Sequence, residues 1–276
     1  VKGLSGAAIS AIAWDEVTAS LVIAYANRSV DILSRGTIYT ITAIRYSNNG
    51  QDNSINHAYT KDGLCYFSTA SGILILDLKQ RVIVNNFTIG NAWEPIPVNQ
   101  LLADENYFYA STVQGLKKAA RNSTNLSDFR NWNAVQGTSS LPPGATGPLA
   151  KLQNRLLVGK KDTIYALEGD RAQIYYVGSL PLQSMTTTPA TTVVTESGNG
   201  KGRIVVLSEK GSIVSILQQP ELLTSPVYCL YDEGSYWIAD RKSGLQRFIA
   251  NSFSGYVPQS PLQNGSGKLV FQQNTL

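Results

Sequence analysis

Short apolar runs cut by Gly, Asn and Asp recur along the whole chain. The clearest set occupies residues 55–90. INHAYT is followed by a turn at Asp62 and Gly63, LCYFST by a turn at Ser71 and Gly72, ILILDL by a short polar break, and RVIVNNFTI returns. Apolar runs of this length, rich in β-branched and aromatic residues and bounded by Gly/Asp pairs, predict half-buried strands. The stretch therefore reads as a four-stranded antiparallel meander. Alone, such a unit has two open edges and too little buried area to be stable.

The rest of the chain repeats the unit. Before it come ISAIAWD, SLVIAYA, VDILS and TIYTITAI. After it come VNQLLAD, YFYAST, LKKAA and a loop to FRNWNAV, then LAKLQ, RLLVG, TIYALEG and AQIYYVG. A fifth copy is predicted from TTVVTES, a long Gly-rich turn, RIVVLSE, SIVSIL and a poor fourth strand; the sixth is VYCLYD, SYWIAD, LQRFIA and SFSGYV. The hairpins FSTASGILIL, YASTVQGLKKA, VLSEKGSIVSI and IADRKSGLQRF align on a Gly, which a tight turn with positive φ favours. A period of about 33 to 49 residues fits a propeller blade. A β-sandwich could also string short strands together, but it has no reason to repeat in register. The expectation is an all-β protein, a β-propeller with about six four-stranded antiparallel blades. Residues 1–262 form the propeller, and residues 263–276, ending in GKLVFQQNTL, begin a following repeat or second propeller. With no strand in residues 1–8 to complete a split blade, one blade is expected upstream, making seven in the parent protein, of which this chain is a mature form or a fragment.

Composition narrows the function. Apolar content is 43% in 276 residues, and no run approaches a membrane-spanning length. The net charge of +4 is too slight, and too evenly spread, to argue for nucleic acid. Few Lys and many Asn, Ser, Thr, Tyr and Gly suit an extracytoplasmic β-protein. Cys65 and Cys229 each lie in an apolar strand and read as small buried hydrophobes rather than a disulfide.

Catalytic chemistry finds little support. His57 is the single histidine, which removes His-based metal clusters and reads as a strand-end hydrogen-bonding residue. Asp15, Asp62, Asp104 and Asp232 share one slot, the first hairpin of their repeats, which is where turn-forming carboxylates belong. No catalytic residue, metal or cofactor is expected. Successive hairpins of a meander fall on opposite faces, so acids (Asp15, Glu16, Asp62, Asp104, Glu105, Asp232, Glu233) would line one face. Arg28, Lys117, Lys118, Lys160, Lys161, Lys210, Arg241 and Lys242 would line the other, with Arg155, Lys201 and Arg203 blurring the acidic side. Such a basic face would suit an anionic glycan or acidic protein surface. Trp93 and Trp132 lie in or beside loops and are candidate contact aromatics, although a Trp plugging the space between blades is the commoner arrangement.

The run GLSGAAISAIAWDEVTASLVIAYANRSVDIL, then INHAYTKDGLCYFSTASGILILDLKQRVI and NLSDFRNWN, resembles the N-terminal propeller of the PorZ family of the type IX secretion system, over about residues 4–262. More distantly, the short blades are similar to the periplasmic sensor propellers of hybrid two-component regulators. The first resemblance implies a non-enzymatic cell-surface role. It implies a place in the attachment complex beside a PorU-like sortase, to which anionic lipopolysaccharide is presented. It supplies no catalytic motif.

Overall fold

The computed structural model describes residues 3–42, 44, 52–135, 141–169 and 171–256. They form six four-stranded antiparallel sheets, each an up-and-down meander, arranged as the six blades of a propeller. Blade 1 contains β1 (Ile9–Asp15), β2 (Ser20–Tyr25), β3 (Val30–Ser34) and β4 (Thr37–Ile41); blade 2 contains β5 (Ile55–Lys61), β6 (Leu64–Thr69), β7 (Gly72–Asp77) and β8 (Val82–Phe87). Blade 3 contains β9 (Val98–Ala103), β10 (Tyr107–Thr112), β11 (Gly115–Ala120) and the two-residue β12 (Asn133–Ala134). Blade 4 contains β13 (Leu149–Leu152), β14 (Arg155–Lys160), β15 (Thr163–Glu168) and β16 (Arg171–Val177). Blade 5 contains β17 (Leu182–Thr187), β18 (Thr191–Gly198), β19 (Lys201–Ser208) and β20 (Ile213–Leu217). Blade 6 contains β21 (Pro226–Asp232), β22 (Ser235–Asp240), β23 (Gly244–Ile249) and β24 (Ser252–Tyr256).

Turn chemistry sets the hairpins. Asp62 and Gly63 join β5 to β6 with φ of 54° and 78°, the left-handed pair that a two-residue hairpin needs. Gly72 opens β7 at φ 146°, and a Cβ there would run into the carbonyl oxygen of Phe87, so no other residue fits.

The blades bury their faces against one another. Val22, Ile32, Phe67 and Leu76 fill the space between blades 1 and 2, and similar clusters join each later pair. The first strands are also stitched by polar side chains to the next backbone. The Asn56 amide donates to the Val98 carbonyl, the Gln100 amide to Leu149, and the Thr186 hydroxyl to Cys229. Blade 6 and blade 1 share no such cluster among the described residues. Their facing sides expose Ile12 (61%), Trp14 (53%), Tyr228 and Leu230.

Blade 5 corrects the expected register. TTVVTES is its second strand, not its first, and the polar LQSMTT forms the first. The Gly-rich turn is a tight one at Asn199 and Gly200, and SIVSIL is the last strand, with no further strand described before β21. LQSMTT escapes a hydrophobic pattern because its Thr186 and Thr187 hydroxyls bond the backbones of Cys229 and Lys151 in the two neighbouring blades. Residues 257–276, which include the expected start of a following repeat, lie outside the described residues.

Candidate functional site

Strand direction divides the loops between two faces. First and third hairpins of every blade open on one face, which we call the hairpin face. Second hairpins and the connections between blades open on the other, the connection face.

On the connection face stand Arg28, in a turn at φ 67°, and the exposed Lys161, Arg241 and Lys242. Lys160 lies over the segment joining blades 3 and 4 and donates to the Ala145 carbonyl at 3.0 Å. Burial and the neighbouring Lys161 hold its ammonium pKa below the usual lysine range. Lys201 joins this face, because the corrected register puts it beside the second hairpin of blade 5.

Three expected members do not belong there. Lys117 lies within β11, only 5% exposed, with its ammonium 3.3 Å from the Asn91 side-chain oxygen. Burial pushes its pKa down, so it is a packed side chain rather than a surface cation. Lys118, the next residue along the strand, points the other way, 5.4 Å over the Tyr107 ring. Lys210 sits in the third hairpin of blade 5 and therefore on the hairpin face. The slip of one strand in blade 5 explains the last error; alternation along β11 explains the first two.

The acids of the first hairpins are architectural. Asp15 accepts from the Thr18 backbone N–H and hydroxyl. Asp104 accepts from the backbone N–H groups of Asn106 and Tyr107 and from the Tyr109 hydroxyl at 2.9 Å. Burial opposes ionisation of Asp104, but these donors outweigh it and hold its carboxyl below the usual range. Third-hairpin cations share this face and offset its charge: Arg121 pairs with Asp62 at 2.8 Å. The acid-against-base division read from the sequence omitted the third hairpins and is therefore incomplete.

Trp132 is 4% exposed, packed on Phe87, with its indole N–H donating to the Leu126 carbonyl at 2.9 Å. It is a core residue and not a loop platform. Trp93 is 57% exposed and meets the Phe129 ring edge-on at 4.7 Å. His57 sits at a bulge in β5, with its Nδ1 buried and lacking a hydrogen-bond partner. Burial lowers its pKa to about 4, so it is neutral at physiological pH. The free thiols of Cys65 and Cys229 are buried, and burial raises both.

Sequence reasoning missed a cleft on the hairpin face between blades 3 and 4. It is a cavity of about 300 Å³ that brings together Asp104, Tyr107, Tyr109, Lys118, Lys151 and Arg155. No local motif announces it, because its residues come from two repeats and from different strands of each.

Residues 1–133 match the family model described as the N-terminal β-propeller domain of PorZ (TSS9). No curated protein matches the sequence. The structure is similar to PorZ, an essential bacterial surface component of the type IX secretion system of Porphyromonas gingivalis. The TM-score is 0.72 at 18% identity over 96% of this chain. This chain spans 34% of the length of that one. It also resembles the β-propeller of Cps50 (Swd1) from Myceliophteria thermophila, with a TM-score of 0.64 and 12% identity, covering 88% of this chain and 84% of that one. A third similar structure is the computationally designed Ika8 protein, with a TM-score of 0.57 at 12% identity over 90% of this chain and 74% of that one. The chain thus resembles the PorZ propeller in sequence over residues 1–133 and in fold over most of its length.

Proposed function

We propose that this propeller is a non-enzymatic binding and scaffold module at the bacterial cell surface. It acts in the attachment complex of type IX secretion and helps present anionic lipopolysaccharide to a PorU-like sortase. The observation that carries the reading is the PorZ likeness in both sequence and fold. The exposed cations Lys161, Lys201, Arg241 and Lys242 on the connection face supply the charge that an anionic polymer needs. A rigid disc built from packed sheets suits a module that holds two partners in a fixed relation, and its turn-bound carboxylates leave little for acid–base chemistry.

The test is binding of the immobilised protein to anionic and to neutral lipopolysaccharide, each measured at low and high ionic strength. The expected result is capture of the anionic form alone, lost in about 0.5 M salt, where screening shortens to a few ångströms. A charge reversal at Lys161, Arg241 and Lys242 together removes it. Equal capture of the neutral form, or indifference to salt, rejects the reading.

Among the described residues the sides of blades 1 and 6 that carry Trp14 and Tyr228 are open, which fits a larger parent. A further four-stranded blade of the same repeat is the occupant that their geometry suits, because among the described residues each of the other blade faces packs on a neighbouring blade. A version carrying the flanking sequence should shield Trp14, shifting its fluorescence to the blue; an unchanged spectrum counts against a seventh blade.

A further inference from the structure

The cleft between blades 3 and 4 carries the chemistry of a small-ligand site, on the face opposite the one invoked for the polymer. Its volume, about 300 Å³, lies at the small end of ligand pockets and suits a single ring with one substituent. Leu156 and Leu167 give it an apolar base. Tyr107 and Tyr109, with ring centres 6.2 Å apart, add aromatic surface of the kind against which sugar rings pack.

The charge in the cleft is one-sided. Asp104 is the one carboxylate among its lining residues, and three protein donors already occupy its oxygens. Against it stand Lys118, Lys151 and Arg155. Arg155 is held in place from outside the cavity, with one terminal nitrogen 2.7 Å from the Glu209 carbonyl and its Nε 3.5 Å from Glu168. A guanidinium oriented in this way needs little further ordering to meet an anion. Arg155 also lines a second cavity of about 230 Å³ with Glu168, Arg171 and Lys210, where the cations outnumber the one carboxylate. Asn154 adds an amide that can bond a hydroxyl group.

We infer that this cleft binds a monosaccharide-sized ring bearing a carboxylate or a phosphate, with Lys151 and Arg155 meeting the anion and the tyrosines flanking the ring. The inference does not depend on the polymer reading, since it concerns another face and another size of ligand.

Isothermal titration with glucuronate, glucose 1-phosphate, inorganic phosphate and glucose tests it on the chain as it stands. Both sugar acids, or one of them, should bind, and glucose at the same concentrations should not. Which acid binds tighter identifies the anionic group. Lys151→Glu, at an exposed side chain, should weaken binding about tenfold or more, equivalent to about 1.4 kcal/mol. Lys161→Glu, on the connection face, should leave it unchanged and serves as the control for charge alone. Circular dichroism melts of both variants confirm that they are folded. Four outcomes overturn the inference: no binding of either sugar acid, equal binding of glucose, equal loss with both variants, or inorganic phosphate binding as tightly as glucose 1-phosphate.

Discussion

The two sides of β1 live in different surroundings. On one side Ala11 and Ala13 pack against a cluster that includes Val22, Phe67 and Leu76, all fully buried between blades 1 and 2. On the other side Ile12 and Trp14, one residue along, are more than half exposed. The outer part of that open side is sealed by the chain's own residues near Ser5. The Ser5 backbone N–H, the Tyr25 hydroxyl and the Thr40 hydroxyl all donate to Asp31, which is fully buried. Burial and the nearby Asp31 push the Tyr25 hydroxyl up to about 12. Blade 6 shows the matching condition, with Tyr228 and Leu230 exposed on the side away from Cys229. Residues of the same hydrophobic type are therefore core on one side of a strand and surface on the other. Whether a neighbouring blade is present decides between them.

Substitutions should separate the closed interface from the open seam. Phe67→Ala removes a fully buried ring between blades 1 and 2 and should cost about 3–5 kcal/mol of unfolding free energy in a urea titration. A loss under about 1 kcal/mol would mean the interface is not the stabilising contact described above.

His57 offers a pH test of the interior of blade 2. Its pKa is about 4 when folded and 6.5 in an ordinary environment, so the unfolded chain binds the extra proton between those values. Stability from this group is full above about pH 6.5 and falls as the pH drops toward 4, by about 3 kcal/mol in all. His57→Gln should flatten that part of the stability profile. An unchanged slope would show that other groups set it.

Asp31→Ala breaks the sealed outer part of the seam and leaves the Tyr25 hydroxyl unpaired. It should lower stability by about 1–3 kcal/mol, read as a drop in Tm. Smallest of all, Trp14→Ala on the open side should change stability by no more than about 0.5 kcal/mol. A large loss there would show that the seam is closed in solution.

Most of the fold was legible in the sequence. Turn pairs such as Asp62–Gly63 and the period of the apolar runs located five of the six blades strand by strand, because turn dihedrals and strand alternation are local properties. Blade 5 was displaced by one strand because LQSMTT gives only Leu182 and Met185 to the core and meets the neighbouring backbones through the Thr186 and Thr187 hydroxyls. Its bonds to Cys229 and Lys151 come from blades 43 and 36 residues away. The site was less legible. Arg28, Lys161, Arg241 and Lys242 fell where second hairpins and their flanks place them, whereas Lys117, Lys118 and Lys210 did not. Burial of Lys117 beneath Asn91 involves a segment 26 residues distant.

The chain alone determined the repeat, the turns and the turn role of Asp15 and Asp104, since each rests on contacts within a few residues. Only the tertiary structure decided which side of β1 is core, that Trp132 is buried, and that Lys151 and Arg155 of blade 4 face Tyr107 and Lys118 of blade 3 across a cleft. Those outcomes depend on how one blade meets the next, and that meeting joins residues whose spacing along the chain carries no local signal.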